Sequence, residues 1–159
     1  MATHPFRLVN VFTYNRGALT GNPLCVFEDA AAFDTRLMQA LARQFNLSET
    51  TFILPSANAD AAVRIFTPTY EMPFAGHPTL GTAHVCRALG LGGDSLLLEM
   101  QAGRIAVRAQ EDRWTLSAPA PLSPGFFSRR ARRFSRTRQP GPQPPTSAVG
   151  FWRCSGLCR

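Results

Sequence analysis

Pro78-Thr79-Leu80-Gly81-Thr82-Ala83-His84-Val85-Cys86-Arg87-Ala88-Leu89 decides how this 159-residue chain folds. Proline has a preset φ and no N–H, so it suits the first helical position, and a helix is predicted from Pro78 to about Leu89. Leu80, Ala83, Val85, Cys86, Ala88 and Leu89 make that helix apolar nearly all round. Such a helix has to be buried. Gly81 costs helix propensity inside it and points to close packing of the backbone against a neighbour. Gly90, Gly92 and Gly93 terminate it.

The segments on either side supply the cover. Arg7 to Phe12 and Leu24 to Phe27 read as strands, separated by the turn signal Thr20-Gly21-Asn22-Pro23. Asp34 is an N-cap, and Leu37, Leu41 and Phe45 recur every four residues behind it, so 35–45 is an amphipathic helix. Thr50 to Leu54 and Ala62 to Phe66 are β-like runs. Leu96 to Gln101, Arg104 to Arg108 and Arg113 to Ser117 form a meander, with Gly103 available for its first turn. The order is ββαββαβββ. It predicts an α/β chain of the α+β type, with a mostly antiparallel curved sheet around one central helix.

Charge divides the chain in two. Nine arginines against ten acidic residues leave residues 1–124 at −1, whereas residues 125–159 carry eight arginines and no acid. The overall +7 therefore describes the tail, and nucleic-acid binding is not expected except as non-specific attraction through it. Residues 125–159 are basic and Pro-rich, without steady periodicity, and are predicted to be disordered. The break in composition near residue 125 reads as a reading-frame change or a truncated gene. No membrane span or signal peptide is evident, and a cytoplasmic location is expected. Cys25, Cys86, Cys154 and Cys158 match no common zinc spacing, so free thiols and no metal are predicted, with Cys25 and Cys86 buried and inert. No Walker A or dinucleotide fingerprint is present.

The candidate chemistry lies between Asn46 and Leu80. Glu49 sits between Ser48 and Thr50 at the start of a strand. A carboxylate against an apolar wall can both take and give a proton near neutrality. His77 is placed at the N-cap before Pro78, where unpaired amides and the helix dipole favour an anion. Gly76 allows close approach of a ligand, and Thr79, Leu80 and Gly81 are expected to offer free amides. Each also admits a plainer reading: a solvated or capping glutamate at 49, a helix-capping histidine at 77, a turn residue at Asn22. His84 reads as a satisfied core or interface residue, and Glu71 as a partner for Arg64.

Six blocks in this order resemble the PhzF family of phenazine-biosynthesis-like isomerases and epimerases. They are Val9-Asn10-Val11-Phe12, Gly21-Asn22-Pro23, Met38-Gln39-Ala40-Leu41-Ala42, Asn46-Leu47-Ser48-Glu49-Thr50, Arg64-Ile65-Phe66-Thr67-Pro68, and Glu71 through Ala83. The resemblance implies a diaminopimelate epimerase-like fold of two similar domains, with the site in the cleft between them and no cofactor. It implies Glu49 as the catalytic proton-transfer residue. It implies that Gly76, His77, Thr79 and Asn22 bind a small carboxylate-bearing substrate. Related epimerases use two cysteines, and Ala75-Gly76-His77 does not supply that pair. Asn10 stands where many members carry aspartate. Nothing after Pro124 resembles the second domain, so residues 1–124 are expected to be an N-terminal domain, weakly active or inactive alone. Its uncovered wall is expected to favour a homodimer or other self-association. The competing expectation is a non-catalytic fragment or binding protein with a basic tail.

Overall fold

The computed structural model describes residues 3–14, 19–111 and 113–117, and the backbone of residues 152–157. The strands are β1 (Phe6–Val11), β2 (Asn22–Phe27), β3 (Thr50–Leu54), β4 (Ala61–Phe66), β5 (Glu71–Met72), β6 (Ser95–Met100), β7 (Gly103–Gln110), β8 (Arg113–Leu116) and β9 (Trp152–Leu157). The helices are α1 (Thr35–Phe45) and α2 (Gly76–Ala88). Strand order is β3-β2-β1-β9-β8-β7-β6-β4-β5, and β3 also pairs with β4. That extra pairing closes the sheet into a ring, with β5 appended to β4. Only β2–β3 and β4–β6 are parallel; the other pairs are antiparallel. Each parallel pair needs a crossover, and α1 and α2 are the helices in those two crossovers.

α2 runs through the ring and contacts β1, β2, β3, β4 and β8. Its buried residues include His77, Leu80, Gly81, Ala83, Val85 and Cys86. The ring meets it with Val9, Val11, Leu24, Val26, Ile53, Val63, Ile65, Leu98, Ile105, Val107 and Trp114. Burial of these side chains is the dominant favourable term holding helix and ring together. Gly81 shows how close the fit is. A Cβ there would stand 2.5 Å from Leu24 Cδ2 and 2.8 Å from Val11 Cγ2. The close packing expected of this glycine is present.

α1 covers the outside of β2, β3 and β4. Asp34 caps it by accepting from the Leu37 amide at 2.7 Å, and Asn46 ends it in the left-handed region at φ 52°. Beneath it Cys25, Phe27, Phe33, Met38, Ala42, Phe52 and Phe66 form a second core. Phe27 and Phe52 stack with ring centroids 5.0 Å apart. Leu24 and Val26 face α2, while Cys25 and Phe27, alternating with them, face α1. Covered on both faces, β2 reads as a continuous apolar run from Leu24 to Phe27, and β3 is buried from Thr50 to Ile53. β7 alternates Ile105 and Val107 inward with Arg104, Ala106 and Arg108 outward, as a strand wet on one face does. Gly103, at φ 113°, supplies the turn into β7.

Three details depart from the sequence expectations. α2 begins at Gly76, two residues before Pro78. All four amides of a helix's first turn lack an intrahelical acceptor, so a proline further into that turn loses nothing. The two-residue β5 was not expected. Residues 152–157, assigned from sequence to a disordered tail, are the strand β9 between β1 and β8. Composition gives low weight to a strand of six residues that is completed by pairing with partners far away in sequence. The rest of the expected disordered tail, and the boundary at 124, lie outside the described residues. Among the described residues no helix is long and apolar enough to cross a membrane.

Cys25 and Cys86 are buried free thiols, and burial pushes both up to about 12 from 9.0. Below pH 9 the thiols are neutral in the folded and unfolded chain alike. Above it the unfolded thiols ionise and the folded ones do not, so the unfolded chain binds fewer protons and stability falls as pH rises from 9 towards 12. Alkylation at pH 8 followed by peptide mass mapping is expected to leave Cys25 and Cys86 unmodified until urea is added. The two glycines of α2 give a second check. Alanine gains helix propensity of roughly 1 kcal/mol over glycine at either position. A Cβ at Gly76 meets nothing within 4 Å, whereas one at Gly81 enters the core. Gly81→Ala is expected to lower the urea midpoint, since overpacking costs about 1–3 kcal/mol, and Gly76→Ala to hold or raise it.

Candidate active site

At one rim of the ring four segments meet. β1 ends there at Val11, β2 begins at Asn22, β3 is entered through Ser48 and Glu49, and α2 starts at Gly76. The register Val11↔Asn22 brings the first two side by side, and the parallel β2–β3 pairing brings the third to the same end. α2 emerges in the middle, so its N-terminus is framed by the other three.

His77 joins them. Its Nδ1 lies 2.9 Å from Glu49 Oε2, and its Nε2 lies 3.1 Å from the carbonyl oxygen of Asn22. The imidazole is 9% exposed and the Glu49 side chain 17%, so the contact is shielded while the carboxyl still reaches solvent. Ser48 Oγ donates to Asn22 Oδ1 at 3.0 Å. The Phe12 ring lies 5.6 Å from the imidazole, tilted by 52°. Phe12 itself has φ 65°, a conformation unusual for a bulky residue. Such outliers persist where the surroundings fix them, and here Phe12 turns the chain out of β1 with its ring against His77.

α2 enters the rim without a side-chain cap. Ala75 is the N-cap residue, in extended conformation, and makes no capping hydrogen bond. The amides of Gly76 and His77 have no acceptor within the helix by its geometry, and Pro78 has no N–H. The first-turn dipole and these two amides favour an anion. Gly76 borders open space, because a Cβ on it would touch nothing.

Glu49, His77, Gly76 and Asn22 thus stand together as the sequence places them. Thr79 does not join them. It is fully buried, its hydroxyl donates to Ala75 O at 2.6 Å, and its amide bonds the same carbonyl at 3.3 Å. The helix starts two residues earlier than expected, so the free amides belong to Gly76 and His77 and not to Thr79, Leu80 and Gly81. His77 correspondingly lies inside the first turn and is not the cap. Both oxygens of Asn22 already accept hydrogen bonds, which leaves its amide nitrogen as the group able to donate outward. Ser48 and Phe12 were not singled out from sequence, although both lie in the quoted blocks.

The approach to α2 is braced. Arg64 holds Glu71 through two bonds of 2.7 and 2.6 Å and reaches Thr35 Oγ1 at 3.0 Å, as its expected pairing implies. The bond to Glu71 raises the guanidinium above its ordinary value, against a smaller opposing effect of burial. This fork ties β5 to β4 and to the start of α1. Just beyond β5, the Ala102 amide donates to Pro73 O at 3.1 Å and fixes the link that leads into Gly76.

Comparison with known proteins places the chain in a family. An uncharacterised isomerase of Mesorhizobium japonicum is 56% identical over 85 residues, covering 52% of this chain and 28% of that protein. The trans-2,3-dihydro-3-hydroxyanthranilate isomerase of Pseudomonas chlororaphis is 44% identical over 124 residues, covering 76% of this chain and 43% of the relative. The crystal structure of a PhzF-family phenazine biosynthesis protein from Bacillus anthracis superposes with a TM-score of 0.65 at 32% identity, over 73% of this chain and 40% of that one. The chain spans less than half the length of these relatives. Residues 9–124, which include every residue of the rim site, match the PhzC-PhzF family, and the chain belongs to this family of phenazine biosynthesis-like proteins.

Proposed function

We propose that this chain carries the acid–base wall of a PhzF-type isomerase or epimerase acting on a small carboxylate-bearing metabolite. Glu49 removes a proton from one carbon and returns it at another position of the same molecule. The amides of Gly76 and His77 receive the substrate carboxylate, and the Asn22 amide nitrogen donates to it. Proton transfer of this kind asks for a correctly placed carboxylate and no cofactor. The observation that carries the reading is the Glu49–His77 contact of 2.9 Å at the mouth of α2, beside amides suited to an anion. The substrate class follows the relatives, one of which is named for the isomerisation of trans-2,3-dihydro-3-hydroxyanthranilate.

The described rim is one-sided. A carboxylate that faces water exchanges protons with water as readily as with a substrate, and closure of a site is what excludes that competition. On this reading a second domain over the rim completes the site.

The test joins the 159-residue chain, through its C-terminus, to the remaining half of the Pseudomonas chlororaphis isomerase and follows isomerisation of its substrate in D2O. Substrate conversion with deuterium uptake at carbon is expected. Glu49→Gln in the joined protein should lower kcat by about 10²–10⁴-fold with an unchanged thermal transition. Full activity in that variant would refute the role of Glu49. A Gly76→Val variant should raise KM, because the added side chain occupies the space above the free amides.

A further inference from the structure

We infer that the Asn22 carbonyl locks His77 in the form that carries a proton on Nε2, so that His77 and Glu49 share one transferable proton and Glu49 meets substrate through Oε1. A carbonyl oxygen has no proton to give. The 3.1 Å contact between His77 Nε2 and Asn22 O is therefore a hydrogen bond in which Nε2 donates. A neutral imidazole has only one N–H, which leaves Nδ1 as a lone pair directed at Glu49 Oε2, 2.9 Å away. Two lone pairs do not approach to that distance without a proton between them. The proton sits on Nδ1, facing a carboxylate, or on Oε2, facing a neutral imidazole. The count is the same in both: one shared proton besides the one on Nε2.

The surroundings hold this arrangement. Asn22 O belongs to β2, whose first residue is in register with Val11 of β1, so the carbonyl cannot swing aside without breaking strand pairing. Pro23 follows it and restricts that peptide further. The ring is 9% exposed and has Phe12 beside it. A half-turn of the ring would set C–H groups against Glu49 and the carbonyl, losing both bonds in a shielded place.

The consequence concerns Glu49. Oε2 is committed to His77, so Oε1 is the oxygen left for substrate. When a substrate C–H bond breaks, its proton bonds to Oε1 and the electron pair stays on the substrate, delocalised toward the substrate's carboxylate. The shared proton then lies on Nδ1. Return of the Oε1 proton to a different carbon restores the starting state. No electrons are gained or lost, and the carboxyl need not rotate. His77 acts here as a positioning residue for Glu49. The tautomer rests on geometry alone, and its use in turnover rests on the isomerase reading above.

Nitrogen-15 NMR of the 159-residue chain labelled at histidine tests the tautomer without substrate. Long-range proton–nitrogen correlations at pH 7 are expected to show Nε2 of His77 protonated, with its signals identified by their loss in His77→Asn. Should that variant fail to fold, His4→Gln and His84→Gln identify the same signals by elimination. A bare Nε2, or a mixture of the two neutral tautomers, overturns the inference whatever the activity. In the joined enzyme, His77→Gln keeps a donor for the Asn22 carbonyl but takes no proton from Glu49. It is expected to lower kcat at least about tenfold with KM unchanged, short of the full effect of losing the carboxylate. An unchanged kcat overturns the shared-proton role. A protonated Nε2 in a joined enzyme that never turns over would uphold the tautomer and refute the isomerase reading.

Discussion

The enclosure of α2 by a closed ring of strands is the constraint on which the rest of the structure depends. A helix with so little polar surface has no stable place except inside, and a ring that surrounds it leaves only its two ends open. The end that matters is the N-terminus, where backbone donors are unpaired by necessity. Glu49, His77, Asn22 and Gly76 gather at that end. The tight seat at Gly81, against Val11 and Leu24, fixes how far α2 is pushed toward the rim. His77 lies four residues, about one helical turn, before Gly81, so the depth of that packing sets the height of the imidazole relative to Glu49.

The site is assembled from groups of three kinds. Glu49 brings a carboxyl that is mostly shielded but still reaches solvent. The first turn of α2 brings amides, and β2 brings a backbone carbonyl. His77 touches the carboxyl and the carbonyl while belonging to the helix, so it transmits the position of three elements to one side chain. Ser48 adds a second link by bonding Asn22 from the segment that carries Glu49. Each bond is modest in net energy, on the order of 1 kcal/mol. Their value lies in orientation, because a carboxyl bound through one oxygen presents the other in a defined direction. The Arg64–Glu71 fork acts one step further out, steadying β5 and the link into α2.

Family membership and function stand on different footings. The match over residues 9–124 covers both helices, the rim and the ring apart from β9 and the first residues of β1. The match covers 28% and 43% of two of the relatives, and their named activities belong to whole proteins. The rim of this chain sets the uncapped first turn of α2 beside a carboxyl–imidazole pair.

Much of this was legible in the sequence, and the reason is local. The bounds of α1 follow from the Asp34 cap and a fourfold apolar repeat, both written within a dozen residues. The burial of Cys25 and Cys86, the pairing of Arg64 with Glu71, and the grouping of Glu49 with His77 were readable from residue type, neighbours and the resemblance of six blocks. The start of α2 was not, because proline is tolerated at several first-turn positions and does not by itself select one. Thr79 was misplaced for that reason: a shift of two residues carries a side chain from the open mouth into the core. The strand at residues 152–157 exists through pairing with β1 and β8, for which its own composition gives no signal. The sequence by itself determined that Glu49 and His77 stand close together and that one helix must be enclosed. Only the tertiary structure decided that a backbone carbonyl at Asn22 faces His77 across 55 positions of chain, since a carbonyl is common to every residue and its direction is set by strand pairing alone.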